Sequence, residues 1–183
     1  MSDTSILAGP ARPRAIPLID RALVVLAGAA VIAGSARANY QIGLVPISGQ
    51  TLAVLLVAGL LGARAGTAAV LACLAAGVAG APVFTGGGGV HLLFGPTGGY
   101  LLGFVPGAWL AGELFDRGAG RTVGRAVGAL LAADAILFAF GLAWLSLYLP
   151  AKSLLAAGLL PFIPGEAVKI ALAAAVLTRA RRS

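Results

Sequence analysis

Residues 126–149 read AVGALLAADAILFAFGLAWLSLYL, and this stretch decides the class of fold. A helix needs about 20 predominantly apolar residues to cross the hydrocarbon core of a bilayer. The stretch meets that length, and Asp134 is its one charged residue. It therefore predicts a transmembrane helix.

The rest of the chain has the same character. Of its 183 residues 60% are hydrophobic and 10% are charged, and the mean hydropathy is +1.00. Soluble domains carry roughly 25% charged residues, so this chain lacks the polar surface to face water on all sides. At about 20 residues per span, six helices and short connections use nearly its whole length. We expect an all-α integral membrane protein, a bundle of six transmembrane helices with structured loops on its outer side.

Apolar segments bounded by Gly, Pro and Arg locate the spans. The segment Gly62-Ala63-Arg64-Ala65-Gly66 alone separates the second span from the third, which predicts a tight helical hairpin in preference to one long kinked helix. The domain organisation expected is a tail over 1–17, one transmembrane domain over 18–179 and a second tail over 180–183. The six predicted spans are 18–38, 51–63, 65–80, 98–115, 124–149 and 157–179.

The basic residues predict the orientation of the bundle. If the N-terminal tail lies inside the cell, the outside connections 39–50, 81–97 and 150–156 and the helix ends beside them hold only Arg37 and Lys152. An excess of Lys and Arg on the cytoplasmic side is the usual rule for membrane proteins. We therefore expect a multi-pass protein of the bacterial cytoplasmic membrane with both termini in the cytoplasm. The residues on the inside are then Arg12, Arg14, Arg21, Arg64, Arg117, Arg121, Arg125, Arg179, Arg181 and Arg182.

Several classes of chemistry are excluded. The basic residues fall between apolar runs and do not line one face, which argues against nucleic-acid binding despite the net charge of +7. The two lysines, Lys152 and Lys169, lie outside any Gly-Lys-Ser/Thr phosphate loop, so no ATPase motif is present. One histidine and the one cysteine, Cys73, cannot make the usual zinc patterns or a disulfide. No Gly-x-Ser-x-Gly nucleophile motif occurs, and we predict no catalytic residue and no metal site.

Three charged residues remain within the apolar segments. A charge inside a bilayer costs about 2.5–3.5 kcal/mol, so each needs a partner or a role. Glu166 and Lys169 are three residues apart at the start of the last span, where they share a helix face and can pair. They either neutralise each other or form part of a ligand site. Asp134 has no partner visible in sequence, and we expect it to hydrogen-bond structurally or to pair with an arginine.

Two outside connections have the composition of pocket walls. The first, 39–50, alternates polar and apolar residues and predicts a short extended lid. The second, 81–97, is too rich in glycine to be helical throughout, and with the helix start after it supplies Phe84, His91, Thr97 and Tyr100. Non-helical backbone near a membrane persists where it is buried in protein or lines a cavity. A flexible solvated linker is the alternative interpretation of the GGGG run.

Three blocks of the chain resemble the BioY family, the biotin-binding substrate (S) components of energy-coupling factor (ECF) transporters. They are VPISGQTLAVLLVAGLLGAR from Val45, PVFTGGGGVHLLFGPTGGYLLGF from Pro82 and PFIPGEAVK from Pro161. The resemblance implies a six-helix S-component fold and high-affinity capture of biotin from outside. It also implies energising partners, a transmembrane coupling protein and two ATPases that hydrolyse ATP, while this chain is not an enzyme and binds no cofactor of its own. Docking of the coupling protein would use small residues of the first helix, Ala29 and Ala33, or Ala30 and Gly34 at the same spacing.

The chemistry of biotin assigns roles to the candidate residues. Glu166 would accept hydrogen bonds from the ureido N–H groups, because charge-assisted hydrogen bonds are the stronger ones. Gln50 and Thr51 would complete that polar contact. Phe84, Tyr100 and Tyr40 would pack against the apolar rings, since small-molecule pockets are mostly apolar.

Two departures from the BioY pattern affect the charges of the site. The family commonly has Asp where Glu166 stands, and often a basic residue in the glycine loop. The biotin carboxylate would then be neutralised by Lys169, by His91 or by backbone N–H groups. Three alternatives stay open: an S component for another vitamin, a secondary transporter that works alone, and an intramembrane enzyme, which the missing catalytic motifs disfavour.

Overall fold

The structure is a computed structural model that describes residues 18–40 and 44–181. Six α-helices make up the described part: α1 (Leu18–Ser35), α2 (Gln50–Val78), α3 (Gly98–Asp116), α4 (Val123–Leu145), α5 (Ala151–Gly158) and α6 (Ile163–Ala180). Strands β1 (Asn39–Tyr40) and β2 (Ile47–Ser48) pair antiparallel, and short 3-10 helices cover Val90–Phe94 and Ala119–Arg121. Most of the predicted tails and residues 41–43 of the predicted lid lie outside the described residues. This is the expected helical membrane bundle.

Helix α2 reverses direction at Gly62. This residue has φ 81° and ψ 176°, a backbone conformation that essentially only glycine adopts. A Cβ added to Gly66 would lie 2.6 Å from the Cα of Ala58, so the arms 50–61 and 63–78 run back to back. Gln50 Nε2 also donates to the carbonyl oxygen of Val83 at 3.2 Å. The start of the first arm therefore lies beside the loop that follows the second arm. The predicted tight hairpin is confirmed.

Three helices, α1, α2 and α4, are long and apolar enough to cross a membrane by length and composition, and the bent pair α5 and α6 makes a fourth candidate. Because α2 folds back on itself, its two arms are separate crossings in the bundle. Helix α3 packs extensively against both α2 and α4. The polypeptide thus passes through the bundle six times.

The outer connection 150–156 was predicted to be a loop, and this prediction is wrong. Helix α5 covers Ala151–Gly158, and the last helix begins at Ile163, six residues later than predicted. The reason is Pro161, which cannot donate a backbone hydrogen bond and disfavours helical backbone at the residue before it. The two helices are bent by 43° at this break. The aromatic side chain of Phe162 is buried at the bend.

The core is built from small and aliphatic residues at close helix contacts. A Cβ at Gly112 would lie 2.4 Å from the backbone nitrogen of Ala63, and one at Gly103 would lie 2.8 Å from the carbonyl oxygen of Leu137. Backbones therefore approach directly across the α2–α3 and α3–α4 interfaces, as small residues allow between helices in lipid. Cys73 is buried in this core as a free thiol.

Candidate ligand-binding site

A cavity lies at the end of the bundle where the two outer loops meet. Its walls come from the β2 segment, the start of α2, the glycine-rich loop, α3, α4 and the start of α6. The free space in and around the cavity, counted out through its open mouth into solvent, is about 560 Å³. The lining residues are Val45, Pro46, Ser48, Gln50, Thr51, Phe84, Thr85, Leu92, Thr97, Tyr100, Leu101, Phe104, Leu137, Phe138, Phe162, Glu166 and Lys169.

Seven of the nine ligand-binding residues predicted from sequence line this cavity: Gln50, Thr51, Phe84, Thr97, Tyr100, Glu166 and Lys169. The other two lie outside it. Tyr40 is 71% exposed, in a second groove along the β1–β2 ribbon. His91 is exposed on the 3-10 helix Val90–Phe94. Contact of these two side chains with a ligand stays a prediction.

The polar side of the cavity centres on the Glu166–Lys169 ion pair. Lys169 Nζ lies 2.7 Å from Glu166 Oε1, with the two side chains only 13% and 6% exposed. Lys169 also donates to the carbonyl oxygen of Ser48 at 2.6 Å and to Thr51 Oγ1 at 2.8 Å. An ammonium group has three N–H donors, so all three are used within the protein. Lys169 thereby links α6 to β2 and to the start of α2.

The two oxygens of the Glu166 carboxylate differ in their hydrogen bonding. Its Oε1 accepts from Lys169 and from the Thr51 hydroxyl at 3.0 Å. Its Oε2 is buried and has no hydrogen-bond partner among the described residues. The Thr85 hydroxyl is also buried on the cavity wall and also has no hydrogen-bond partner among the described residues. Buried polar groups are nearly always hydrogen-bonded, so these two atoms are the natural attachment points for a polar ligand.

The apolar side of the cavity is an aromatic box. Tyr100 stacks on Phe162 with ring centroids 6.1 Å apart and meets Phe138 edge to face at 5.8 Å. Phe138 and Phe162 complete the triangle at 5.6 Å. The Tyr100 hydroxyl donates to the carbonyl oxygen of Gly158 at 2.7 Å, which ties α3 to the end of α5. The box therefore offers a rigid apolar surface from three elements.

The glycine-rich loop holds the opposite wall in place. Gly86, Gly87 and Gly89 all have φ between 98° and 119°, which explains why the run cannot carry side chains at these positions. The turn they form pairs Phe84 with Gly87 and buries the Phe84 ring directly over Gly77 of α2. The predicted pocket wall is observed, and the solvated-linker alternative does not describe this loop.

Several cavity residues were missed by sequence reasoning. Leu101 follows Tyr100 directly in α3, and Phe104 lies one turn after Tyr100 on the same face, so helical spacing from Tyr100 would have found Phe104. Phe162 lies inside the PFIPGEAVK block already singled out. Phe138 carried no signal, because α4 is apolar on all sides and its sequence does not mark the face that lines the cavity.

Asp134 does not hydrogen-bond as predicted. Its side chain is buried at 7% exposure, and Oδ1 has no hydrogen-bond partner in the described part of the chain. No arginine pairs with it among residues 18–40 and 44–181, where the ion pairs found are those of Glu113, Glu166 and Asp116. The reason is position, because the described arginines lie near the ends of the helices. No cluster of three metal-ligating side chains occurs in these ranges either.

The first helix carries the predicted docking residues. Ala29 is buried at 9% exposure, and Ala33 packs partly against the core. Ala30 and Gly34 lie on the exposed side of α1, and a Cβ at Gly34 would meet nothing within 4 Å. Of the two docking pairs that the sequence offered, Ala30 and Gly34 are therefore the pair exposed on the surface.

Comparison with known proteins gives a consistent result. The model of the BioY family matches residues 10–183. The chain is 35% identical to the biotin transporter BioY of Rhizobium etli, over 88% of this chain and 91% of the relative. It is 34% identical to the biotin transporter BioY of Thermotoga maritima, over 84% and 90% of the two chains.

A solved structure extends this likeness to the fold. The crystal structure of the S-component for biotin from an ECF-type ABC transporter superimposes with a TM-score of 0.78 at 28% identity, covering 92% of this chain and 96% of that one. The chain is a multi-pass membrane protein that belongs to the BioY family.

Proposed function

We propose that this chain is the biotin-binding S component of an ECF-type transporter, which takes up biotin across the bacterial cytoplasmic membrane. The observation that carries the proposal is the cavity, where a buried carboxylate oxygen faces an aromatic box. Biotin has a ureido group with two N–H donors, an apolar fused ring and a carboxylated tail. Each of the first two parts has a matching partner in the cavity.

Recognition of the ureido group rests on Glu166. Its unpartnered Oε2 is placed to accept a ureido N–H, while Oε1 is paired with Lys169. The Thr85 hydroxyl offers a second polar contact. The fused ring packs between Phe84 and the box formed by Tyr100 and its neighbours, where aromatic surface favours apolar ligands.

For the biotin carboxylate, the sequence left three candidate partners open: Lys169, His91 and backbone N–H groups. Because all three Lys169 donors are bonded within the protein, we assign this residue to holding Glu166. His91 and the backbone N–H groups of the glycine-rich loop remain to neutralise the tail at the mouth of the cavity. Both lie on the loop over 81–97.

We infer that the cavity opens to the outside of the cell. The hairpin tip at Gly62, the end of α3 at Asp116 and the end of α6 at Arg181 meet at the opposite end of the bundle. That end carries most of the arginines, so it faces the cytoplasm by the positive-inside rule. Both termini then lie in the cytoplasm.

Energy comes from partner proteins in this proposal. The chain has no phosphate-loop motif, so a coupling protein and two ATPases would supply ATP hydrolysis, with no cofactor and no catalytic residue in this chain. We assign docking of the coupling protein to the exposed face of α1 around Ala30 and Gly34. Ala29 and Ala33 face the bundle and would set the packing of α1.

Equilibrium binding to the purified protein tests the proposal. Labelled biotin, thiamin and riboflavin are titrated in parallel, and we expect saturable binding of biotin alone. Binding of thiamin or riboflavin in place of biotin would assign the S component to another vitamin. Absence of biotin binding to folded protein would overturn the proposal.

A secondary transporter that works alone is the second candidate, favoured by the buried Asp134. Such transporters need a coupling-ion site within the membrane. Biotin uptake is measured in cells that lack the energising module. Accumulation that collapses with the proton gradient would favour this candidate, whereas uptake only with the module would favour the ECF assignment.

A further inference from the structure

A groove lies between α3 and α4 at the end of the bundle opposite the biotin cavity. It is formed by the end of α3, the turn that follows and the start of α4. Arg117 and Arg125 line it, and its other lining residues are apolar or glycine, among them Leu114, Gly128 and Ala129. The groove shares no lining residue with the biotin cavity, and the proposed function does not use it.

A third arginine lies at the edge of this groove. A Cβ added to Gly118, one of the lining residues, would lie 2.9 Å from Arg121 Nε and 3.3 Å from its Cζ. The guanidinium group of Arg121 therefore lies directly against the backbone of the groove wall. Three arginines, from α3, from the 3-10 helix and from α4, border one groove.

The positive charge of the groove is only partly compensated. Glu113 Oε1 accepts a hydrogen bond from Arg117 Nε at 2.9 Å and lies 2.7 Å from its Nη2. The side chains of Arg121 and Arg125 form no ion pair within residues 18–40 and 44–181. One negative charge against three positive charges leaves the groove with a net charge of +2.

The local structure does not account for this charge. Asp116 already accepts from the backbone N–H of Ala63 and lies 3.5 Å from Arg181, so it is engaged elsewhere. Arg125 lies in the first turn of α4, where a positive charge opposes the helix dipole. The positive-inside rule explains arginines at this end of the bundle, but not why three of them border one groove.

The groove continues from its arginines onto apolar surface. Gly128 is exposed, and a Cβ at this position would meet nothing within 4 Å, so the groove is open beside it. Leu131, about one turn further along α4, is 52% exposed. Leu114 and Ala129 supply apolar lining between the two helices. The groove therefore joins a basic end, near the helix ends, to an apolar end nearer the middle of the membrane.

The same two helices form a second groove at the cavity end of the bundle. Its lining includes Leu102, Phe140 and Leu147, and no charged side chain of the described residues belongs to it. The surface between α3 and α4 is thus basic at one end only. In the proposed orientation this is the cytoplasmic end, and the cytoplasmic leaflet carries a negative surface potential from its anionic lipids.

We propose that the basic groove binds an anionic phospholipid of the cytoplasmic leaflet. Arg117, Arg121 and Arg125 would hold its phosphate, and an acyl chain would pack over Gly128 and Leu131. Guanidinium groups bind phosphate oxygens through paired hydrogen bonds, and basic pockets between transmembrane helices recognise lipid headgroups. A free phosphate ion would use the arginines alone, whereas a phospholipid also uses the apolar surface beside them. The lipid would occupy a different face from α1, which packs against α2.

Native mass spectrometry of the purified full-length protein tests this lipid site without biotin. The protein is equilibrated in detergent with equal amounts of phosphatidylglycerol and phosphatidylcholine that carry the same acyl chains. The parent should retain phosphatidylglycerol preferentially. Arg121→Gln and Arg125→Gln should each lower its apparent affinity by about fivefold, the contribution of one arginine near a membrane surface. Equal retention by the parent and both variants would overturn the proposal.

Arg64→Gln is the matched control for these two variants. Arg64 is an exposed arginine at the same end of the bundle, beside the hairpin turn, and it does not line the groove. This variant should retain phosphatidylglycerol as the parent does. A loss equal to that of Arg125→Gln would show that net charge alone attracts the lipid, and it would refute a specific groove.

Gly128→Leu tests the apolar part of the groove with every arginine intact. The added side chain enters open space, so the protein should fold, as its far-ultraviolet circular dichroism checks. Because the leucine fills the path of the acyl chain, we expect a loss of phosphatidylglycerol retention and no displacement of the lipid from the parent by excess inorganic phosphate. Retention equal to that of the parent, or displacement by phosphate alone, would identify a site for free anions and contradict the proposal.

Discussion

The two ends of the bundle use charge in opposite ways. At the cavity end, the Glu166–Lys169 pair is 2.7 Å long and nearly buried, and one carboxylate oxygen is left without a partner. At the other end, Asp116 accepts from the backbone N–H of Ala63 at 2.9 Å and lies 3.5 Å from the partly exposed Arg181. The Glu166–Lys169 pair leaves one hydrogen-bond acceptor unused, whereas Asp116 uses its carboxylate to hold the turn of the hairpin. Mutations at the two ends should therefore differ in their effect on ligand binding.

The largest expected effect is on ligand binding at the cavity end. Replacing Glu166 with Ala removes one partner of a buried ion pair and leaves the Lys169 charge uncompensated. Breaking a buried ion pair within the protein costs about 3–5 kcal/mol of stability. Loss of a hydrogen bond from the ligand to a charged acceptor costs a further about 1.5–3 kcal/mol of binding, so we expect biotin affinity to fall by about 10- to 150-fold. The measurement is equilibrium binding of labelled biotin to purified variant protein.

Asp116→Ala is the matched control for that experiment. It also removes a carboxylate that forms an ion pair, but at the opposite end of the bundle. We expect biotin affinity within about twofold of the parent and a loss of about 1 kcal/mol in stability, the usual cost of a lost helix cap. A folded Glu166→Ala protein that binds biotin as tightly as the parent would refute the role of Glu166.

The next effect is on stability, at the hairpin turn. Gly62→Ala places a side chain where φ is 81° and where its Cβ would lie 2.6 Å from Asp116 Oδ1. Backbone strain of this kind costs about 1–3 kcal/mol, and loss of the Asp116 cap adds about 1 kcal/mol. We expect the free energy of unfolding, measured by titration with sodium dodecyl sulfate, to fall by about 2–4 kcal/mol.

Gly128→Ala tests whether the Gly62 effect is specific to the turn. A Cβ at Gly128 of α4 would meet nothing within 4 Å, and its backbone is helical. Alanine favours a helix over glycine by about 1 kcal/mol, so this variant should be as stable as the parent or more so. Equal destabilisation by both substitutions would mean that the bundle simply does not tolerate added side chains.

Sequence predicted the features of these two ends to different extents. The hairpin was predictable, because GARAG is the only break between two apolar runs and glycine permits the backbone that the reversal needs. The Glu166–Lys169 pair was predictable from their spacing on one helix face. Neither the saturation of Lys169 by Ser48 and Thr51 nor the aromatic box was predictable, because both depend on which elements meet in space. Helix α5 was missed although Pro150 and Lys152 mark its start, because its eight residues are far fewer than the length used to recognise a span.

A smaller effect on biotin binding is expected when one of two unpartnered threonine hydroxyl groups is removed. Thr85 Oγ1 lies on the cavity wall and Thr67 Oγ1 lies on α2 away from it, and neither has a hydrogen-bond partner in the described part of the chain. Thr85→Val should weaken biotin binding by about fivefold, because one hydrogen bond contributes about 1 kcal/mol. Both variants are compared by equilibrium binding and by unfolding titration.

Thr67→Val is the control, and it should not weaken biotin binding. Removing a buried hydroxyl that bonds to nothing should leave biotin binding unchanged and leave stability unchanged or slightly higher. Equal losses of affinity in the two variants would show that Thr85 acts through packing and not through a hydrogen bond to the ligand.

The smallest effect is expected at the exposed ion pair of α3. Arg117 Nη2 lies 2.7 Å from Glu113 Oε1, as short as the Glu166–Lys169 pair, but the side chains are 72% and 28% exposed. Pairs spaced i and i+4 in water contribute only about 0.3–0.5 kcal/mol and are screened by salt. Arg117→Ala should therefore change the unfolding free energy by less than about 0.5 kcal/mol and leave biotin binding unchanged. A loss above about 2 kcal/mol, approaching the about 3–5 kcal/mol of a broken buried pair, would contradict this comparison, because the N–O separation and not the exposure would then set the strength of these ion pairs.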